Sequence, residues 1–265
     1  MRWLWILALA ASFGPAQAQN ASLVPAHAAI NKGDYAQAID VLKPLAAGGD
    51  TEAQFLLATA LEQAKPPLGD AQAAYGWYRR AAEAGYPQAQ AMVGKMHFDG
   101  KVVKKDSREA ARWYRAAAEQ GHLDARTNLG IMYMEGMGVA PDVIEGEKLI
   151  RAAAEHGYAR AQTHLARMYL DGDGVKQDAA EAAKWFERAA HLNYEVAQFY
   201  LAVLYQRGLG VERDLERALV WMTRAASRGH RLAMFELARA YENGLGVIAS
   251  PEKAKEWRDR ARSMK

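Results

Sequence analysis

The chain has 265 residues, with 34 Lys and Arg against 31 Asp and Glu, a net charge of +3 dispersed along its length. So small and interspersed an excess argues against a nucleic-acid-binding protein, which concentrates basic residues on one surface. There is no cysteine, so no disulfide framework holds the fold, and a chain this long can bury enough core without one.

Met1-Arg2 is a positive start, and Trp3 to Phe13 is an apolar run too short to span a bilayer. Gly14-Pro15 breaks the run, and Ala16-Gln17-Ala18 is a small-residue site with cleavage expected before Gln19. Residues 1–18 therefore read as a secretory signal peptide, with a transmembrane anchor as the alternative. No cysteine stands at the cleavage site to carry a lipid. The mature protein is expected in the periplasm or outside the cell, as a monomer with no stable membrane insertion. Residues 19 to about 25 read as a loose lead. Asp34-Tyr35 to Ala47 then reads as the second helix of an incomplete first repeat.

From there the chain copies itself every 36 residues. A glycine recurs as Gly49, Gly85, Gly121, Gly157 and Gly229, with Asn193 in the remaining slot, and an alanine follows four residues on in every copy. A fixed period of this size signals a stacked-repeat protein. In the copy from Gly157 to Leu192, Ala161, Leu165, Met168 and Tyr169 share one face of a first helix. A loop with Gly172 and Gly174 follows. Asp178 then reads as the N-cap of a second helix, with Glu181 completing a capping box. The cap recurs as Asp34, Asp70, Asp106, Asp142 and Asp214, and as Ser250 in the last copy. Ala182, Trp185, Phe186, Ala189 and Ala190 form the apolar face of the second helix. Asn193 suits the left-handed slot that glycine fills elsewhere. Such a hairpin cannot bury its apolar face alone, and stacked neighbours bury it. The predicted fold is all-α: a right-handed solenoid of stacked helix–loop–helix repeats, one domain over residues 19–265.

Three copies depart from the pattern. Pro66-Pro67 replace the loop glycines in the first complete copy without changing its length. Gly146 and Leu149 stand where neighbouring copies have Ala and Trp, which predicts thinner packing there. In the last copy Lys255, Arg258 and Arg262 occupy mainly apolar slots, as a terminal cap requires.

Leu129, Gly130 and Tyr133, then Gly136 to Val139, the cap Asp and the A-A-E-x-G ending resemble Sel-one-like repeats, relatives of tetratricopeptide repeats with a slightly longer loop. The resemblance covers roughly residues 30–265. It implies an adaptor or regulator that binds other proteins, in bacteria often secreted or periplasmic.

Several patterns imitate catalytic or ligand sites. Trp77, Trp113, Trp185, Trp221 and Trp257 are in register, but they are tied to one apolar helix position and read as core rather than as a sugar platform. The repeated G-x-G, as at Gly208 and Gly210, lacks a third glycine and a preceding strand. Asp171-Gly172-Asp173-Gly174 opens like a calcium loop whose spacing then fails. His122 and His230 alternate with tyrosines at one repeat position, His97 replaces another repeat tyrosine, and there is no H-E-x-x-H, so no metal is expected. Ser250-Pro251-Glu252-Lys253 matches the S-x-x-K of penicillin-recognising enzymes. Its serine sits in the cap slot with proline at the first helical position, and the companion motifs are absent.

Repeats can also be compared with one another. On the first helix, the positions three, seven, ten and fourteen after the recurring glycine share a face and change freely. First helices line the inner wall in related solenoids, so this stripe is the expected groove. Glu52, Asp99, Asp124 and Glu135 stand against Lys95 in its first three copies, and Arg160, Arg167, Arg207 and Arg239 against Asp171 and Glu236 in its last three. Val196, Tyr200, Val203 and Leu232 lie beside the basic half. The candidate partner-binding residues are Asn128, Arg160, His164, Arg167, Val196, Tyr200, Val203 and Arg239. The stripe packs against nothing in the repeat pattern, so substitutions on it are expected to spare stability. The function expected is a non-catalytic adaptor that binds a protein or peptide, with no cofactor. An envelope enzyme or binder of the penicillin-recognising or peptidoglycan-associated type is the alternative.

Overall fold

The computed structural model of the protein describes residues 15–264. The apolar run of the expected signal peptide, residues 3–13, lies outside the described residues. Among the described residues there are fourteen helices and no strand. In chain order they are α1 (Pro15–Lys32), α2 (Tyr35–Ala47), α3 (Thr51–Gln63), α4 (Ala71–Glu83), α5 (Pro87–Asp99), α6 (Ser107–Glu119), α7 (Leu123–Glu135), α8 (Val143–Glu155), α9 (Ala159–Asp171), α10 (Ala179–His191), α11 (Glu195–Arg207), α12 (Leu215–Ser227), α13 (Arg231–Asn243) and α14 (Pro251–Ser263). The chain divides into two compact units, Met1–Ala117 and Ala118–Lys265. In the first unit α1 packs on α2, α2 on α3, α3 on α4, and α4 on α5. In the second, each helix from α7 to α13 packs on its successor.

The hairpin of α9 and α10 shows how sequence makes the unit. Ala161, Leu165 and Met168 are buried on α9, and Gly172 ends it in the left-handed conformation at φ 82°, donating its N–H to the Met168 carbonyl. The chain returns where the Asp178 N–H donates to the Tyr169 carbonyl at 2.8 Å. The Asp178 carboxylate accepts from the N–H groups of Ala180 and Glu181 at 3.0 Å. The expected capping box is only half formed, because Tyr169 has already taken the Asp178 N–H. Glu181 pairs instead with Lys184 at 2.9 Å. On α10, Ala182, Trp185, Phe186, Ala189 and Ala190 are all buried, and Asn193 follows at φ 64°.

The second loop glycine has a separate reason. A Cβ on Gly210 would fall 2.0 Å from the Ala179 carbonyl oxygen, at the start of the second helix one hairpin back. Gly174 meets Val143 and Gly246 meets Leu215 in the same way. The G-x-G is therefore a cap followed by a close inter-hairpin contact.

Two expectations are corrected. Residues 19 to 25 are not a loose lead but part of α1, whose Leu23, Ala26 and Ala29 are buried, so the first hairpin is complete. Pro25 lies inside this helix. Gly146 does not thin the packing of its repeat either. It is buried against α7, where a Cβ would lie 2.5 Å from Met134 Cγ and 2.8 Å from the Gly130 carbonyl oxygen. The glycine lets two helices approach closely. Gly146→Ala should gain about 1 kcal/mol in helix propensity yet lose roughly 1–3 kcal/mol to overpacking. A net loss in urea unfolding is expected, and a more stable variant would show that α8 can shift freely.

A ladder of buried amides joins consecutive hairpins. Gln54, Gln90, Gln162 and Gln198 donate from Nε2 to the carbonyls of Ala46, Ala82, Ala154 and Ala190, at 3.0–3.2 Å. Each bond ties a first helix to the last turn of the second helix before it. Arg126 reaches the Ala118 carbonyl in the same way at 3.1 Å.

Candidate partner-binding face of the second unit

Within the second unit α9 touches α7 on one side and α11 on the other, so their stripe residues form one surface. Its organising group is a carboxylate. Asp124 on α7 accepts from Arg160 Nη1 at 2.7 Å, from the Tyr158 hydroxyl at 2.7 Å and from Asn128 Nδ2 at 3.2 Å. Burial and the facing Asp124 push the Tyr158 hydroxyl up to about 12. Arg160 and Asp124 are a little over one-third exposed at most, at 35% and 36%, too exposed for their pairing to carry much stability.

His164, one turn along α9, is half-buried. Burial first, then the positive charges of Arg160 and Arg167, push its imidazole down to about 4. Arg167 is exposed and has no ion pair among the described residues. On α11 the Tyr200 ring stacks on the buried Phe186 ring at 5.1 Å and meets Phe199 edge-on at 5.6 Å. Phe199 stacks in turn on His230 at 4.5 Å. Val203 packs against the core, and Val196 is half-buried. Arg239, on α13, is exposed and held by Glu236 of its own helix at 3.1 Å.

The stripe is thus less idle than its pattern suggests. Arg160, Asn128, Tyr200 and Val203 all have internal partners: Arg160 on the neighbouring first helix, Asn128 on its own helix, and Tyr200 and Val203 against the core. Asp124, which holds Arg160, and Tyr158, which bonds the same carboxylate, were not among the candidate residues. Their signal was present: Asp124 and Arg160 occupy the same slot in successive copies with opposite charge.

The Sel1 repeat family matches residues 51–86, 87–122, 123–158, 159–194, 196–230 and 231–263. The chain belongs to the Sel1 repeat family. Among solved structures it is similar to a Sel1 repeat protein from Oxalobacter formigenes, with 32% identity and a TM-score of 0.82, over 92% of this chain and 98% of that one. It is also similar, at 32% identity and a TM-score of 0.74, to a protective antigen present in uropathogenic Escherichia coli strains. That match covers 92% of this chain and 53% of the antigen, so the chain spans about half the antigen's length. An immunity protein from Pseudomonas aeruginosa, at 23% identity, a TM-score of 0.55 and 80% coverage of both chains, shares the fold. No match was found among curated proteins.

In this Sel1 chain the imitative patterns are taken up by repeat geometry. Trp185 and Trp221 are buried, and Trp77, Trp113 and Trp257 are half-buried. Arg80, Arg188, Arg224 and Arg260 lie over the rings three residues before them, at 4.4–5.3 Å from the centroids. His122 and His230 are caps, each accepting through Nδ1 from an N–H three residues on at 3.2 Å. His97 bonds the Tyr75 hydroxyl at 3.2 Å. Ser250 accepts from the Lys253 N–H at 3.3 Å and donates to Glu252 at 3.0 Å. The Lys253 ammonium lies over the Tyr241 ring at 5.3 Å, so this Ser–Lys pair is not arranged as nucleophile and base. Among the described residues no group of three or more His, Cys, Asp or Glu is placed to hold a metal, and no helix is long and apolar enough to cross a membrane.

Proposed function

We propose that this Sel1 repeat protein is a non-catalytic adaptor of the periplasm or the extracellular space, holding a protein or peptide partner on the face formed by α7, α9 and α11. Sel1 repeat proteins are often protein-interaction modules. The observation that carries the reading for this chain is that α9, with its exposed Arg167 making no ion pair among the described residues, adjoins α11, which bears the half-exposed Tyr200 and Val196. Arginine and aromatic side chains set together in this way are typical anchors of an interface. Export rests on the amino-terminal sequence. Cleavage after Ala18 would leave Leu23, Ala26 and Ala29, the buried contacts of α1, in the mature chain.

A photo-crosslinking residue introduced at Arg167, on α9, is expected to trap a partner in cells, whereas one at exposed Lys184, on α10, is not. Tyr200→Ala should speed dissociation of that partner, at a cost of roughly 2 kcal/mol if the ring is an interface hot spot. Adducts at Lys184 alone would move the site to the second helices. Mass spectrometry of the exported protein should find Gln19 at its amino terminus, and an intact Met1 would sink the assignment of a cleaved signal.

A further inference from the structure

We infer that the partner presents an acidic side chain to Arg167, beside an apolar one that covers Tyr200 and Val196, and that Arg160 takes no part in this recognition. The inference rests on the partner-binding face proposed above and says which chemistry that face selects.

Sequence alone treats Arg160, Arg167, Arg207 and Arg239 as equivalent, but the structure separates them. Arg160 already holds a carboxylate, and an incoming acid would have to displace Asp124 from three donors at once: Arg160, Tyr158 and Asn128. Arg239 is paired to Glu236. Arg167 and Arg207 are exposed with no ion pair among the described residues, and of these two only Arg167 is on α9, the helix between Asn128 and Tyr200. Asp171, one turn on from Arg167 in the same stripe, makes no ion pair with it among the described residues, so the Arg167 guanidinium stays open to an incoming acid. Its positive charge is felt at His164, which Arg160 and Arg167 both help to keep neutral. An acid meeting Arg167 gains a planar, bidentate donor without breaking an existing pair. An amide in its place would gain much less. The neighbouring helix supplies apolar surface at Val196 and the outer side of the Tyr200 ring, whose other contacts are with Phe186 and Phe199.

The test uses the full exported chain and an array of short peptides in matched pairs, identical except for Glu or Gln beside a leucine. Among pairs that bind, the Glu member should bind at least about five-fold more tightly at low salt, and high salt should shrink the difference. Arg167→Gln should abolish the preference. Arg160→Gln should retain it, and Arg160→Lys serves in its place if the glutamine variant proves unfolded by circular dichroism. Equal binding of Glu and Gln peptides overturns the acidic preference while leaving the binding face intact. Binding of neither kind overturns both readings. A preference lost in folded Arg160→Lys or Arg160→Gln but kept in Arg167→Gln overturns the division of labour between the two arginines.

Discussion

Replacing Trp185 with alanine is expected to destabilise the protein by about 3–5 kcal/mol, the range for truncating a large buried aromatic. The ring is 5% exposed and sits on α10 in the core of the second unit, among Ala182, Phe186 and Ala189. Neighbouring alanines have short side chains and cannot expand into the space, so little of the cavity should close. The substitution also strands Arg188, whose guanidinium lies 4.4 Å from the ring centroid. One term works the other way. The indole Nε1 is buried without a hydrogen-bond partner, and removing it relieves that desolvation, which favours the lower end of the range. Urea unfolding followed by circular dichroism measures the loss. A change under about 1 kcal/mol would mean the ring behaves as surface and would reopen a stacking role for the tryptophan row.

Trp185 belongs to the part of the fold that was legible, because burial on these helices follows spacing. The second helix of the copy at Gly157, its Asp178 cap and the left-handed Asn193 were all readable, since each follows from a local rule repeated in every copy. What stayed hidden depends on which helix meets which. Gly146 looks like a weakened helix position until Met134 and the Gly130 carbonyl are found against it. The glutamine ladder is periodic in the sequence, but a buried polar residue at a fixed slot has no meaning until its acceptor, the end of the preceding helix, is known. α1 stayed hidden because the burial of Leu23, Ala26 and Ala29 is tertiary. The site divides in the same way. The stripe was found by comparing copies with one another. Its pairing, with Asp124 on Arg160 and Phe186 on Tyr200, needed neighbouring repeats in contact.

Stability should fall as pH drops through the range of the histidines, and His164 should contribute most. Its folded imidazole is pushed down to about 4, below the ordinary 6.5, by burial and by Arg160 and Arg167. Burial also lowers His122 and His230, and both use Nδ1 as an acceptor in a cap, which their neutral form provides. For a base whose folded value is depressed, protonation favours the unfolded chain. The contribution is whole above the unfolded value near 6.5, and it is lost as pH falls toward 4. For His164 the loss should be about 2–3 kcal/mol, discounted for a side chain that water still partly reaches. Carboxylates stabilised in the folded state, such as Asp106 and Glu252, also lose their contribution on acidification, but mostly below that window. The clean measurement is therefore a difference between proteins. His164→Asn places at this position the residue that α7 already carries there as Asn128. Urea unfolding of both proteins at about pH 7 and about pH 4.5 should show the wild type losing more than the variant by on the order of 2 kcal/mol. Equal losses would mean that solvent relieves the imidazolium as it forms, and that the two arginines beside it are screened.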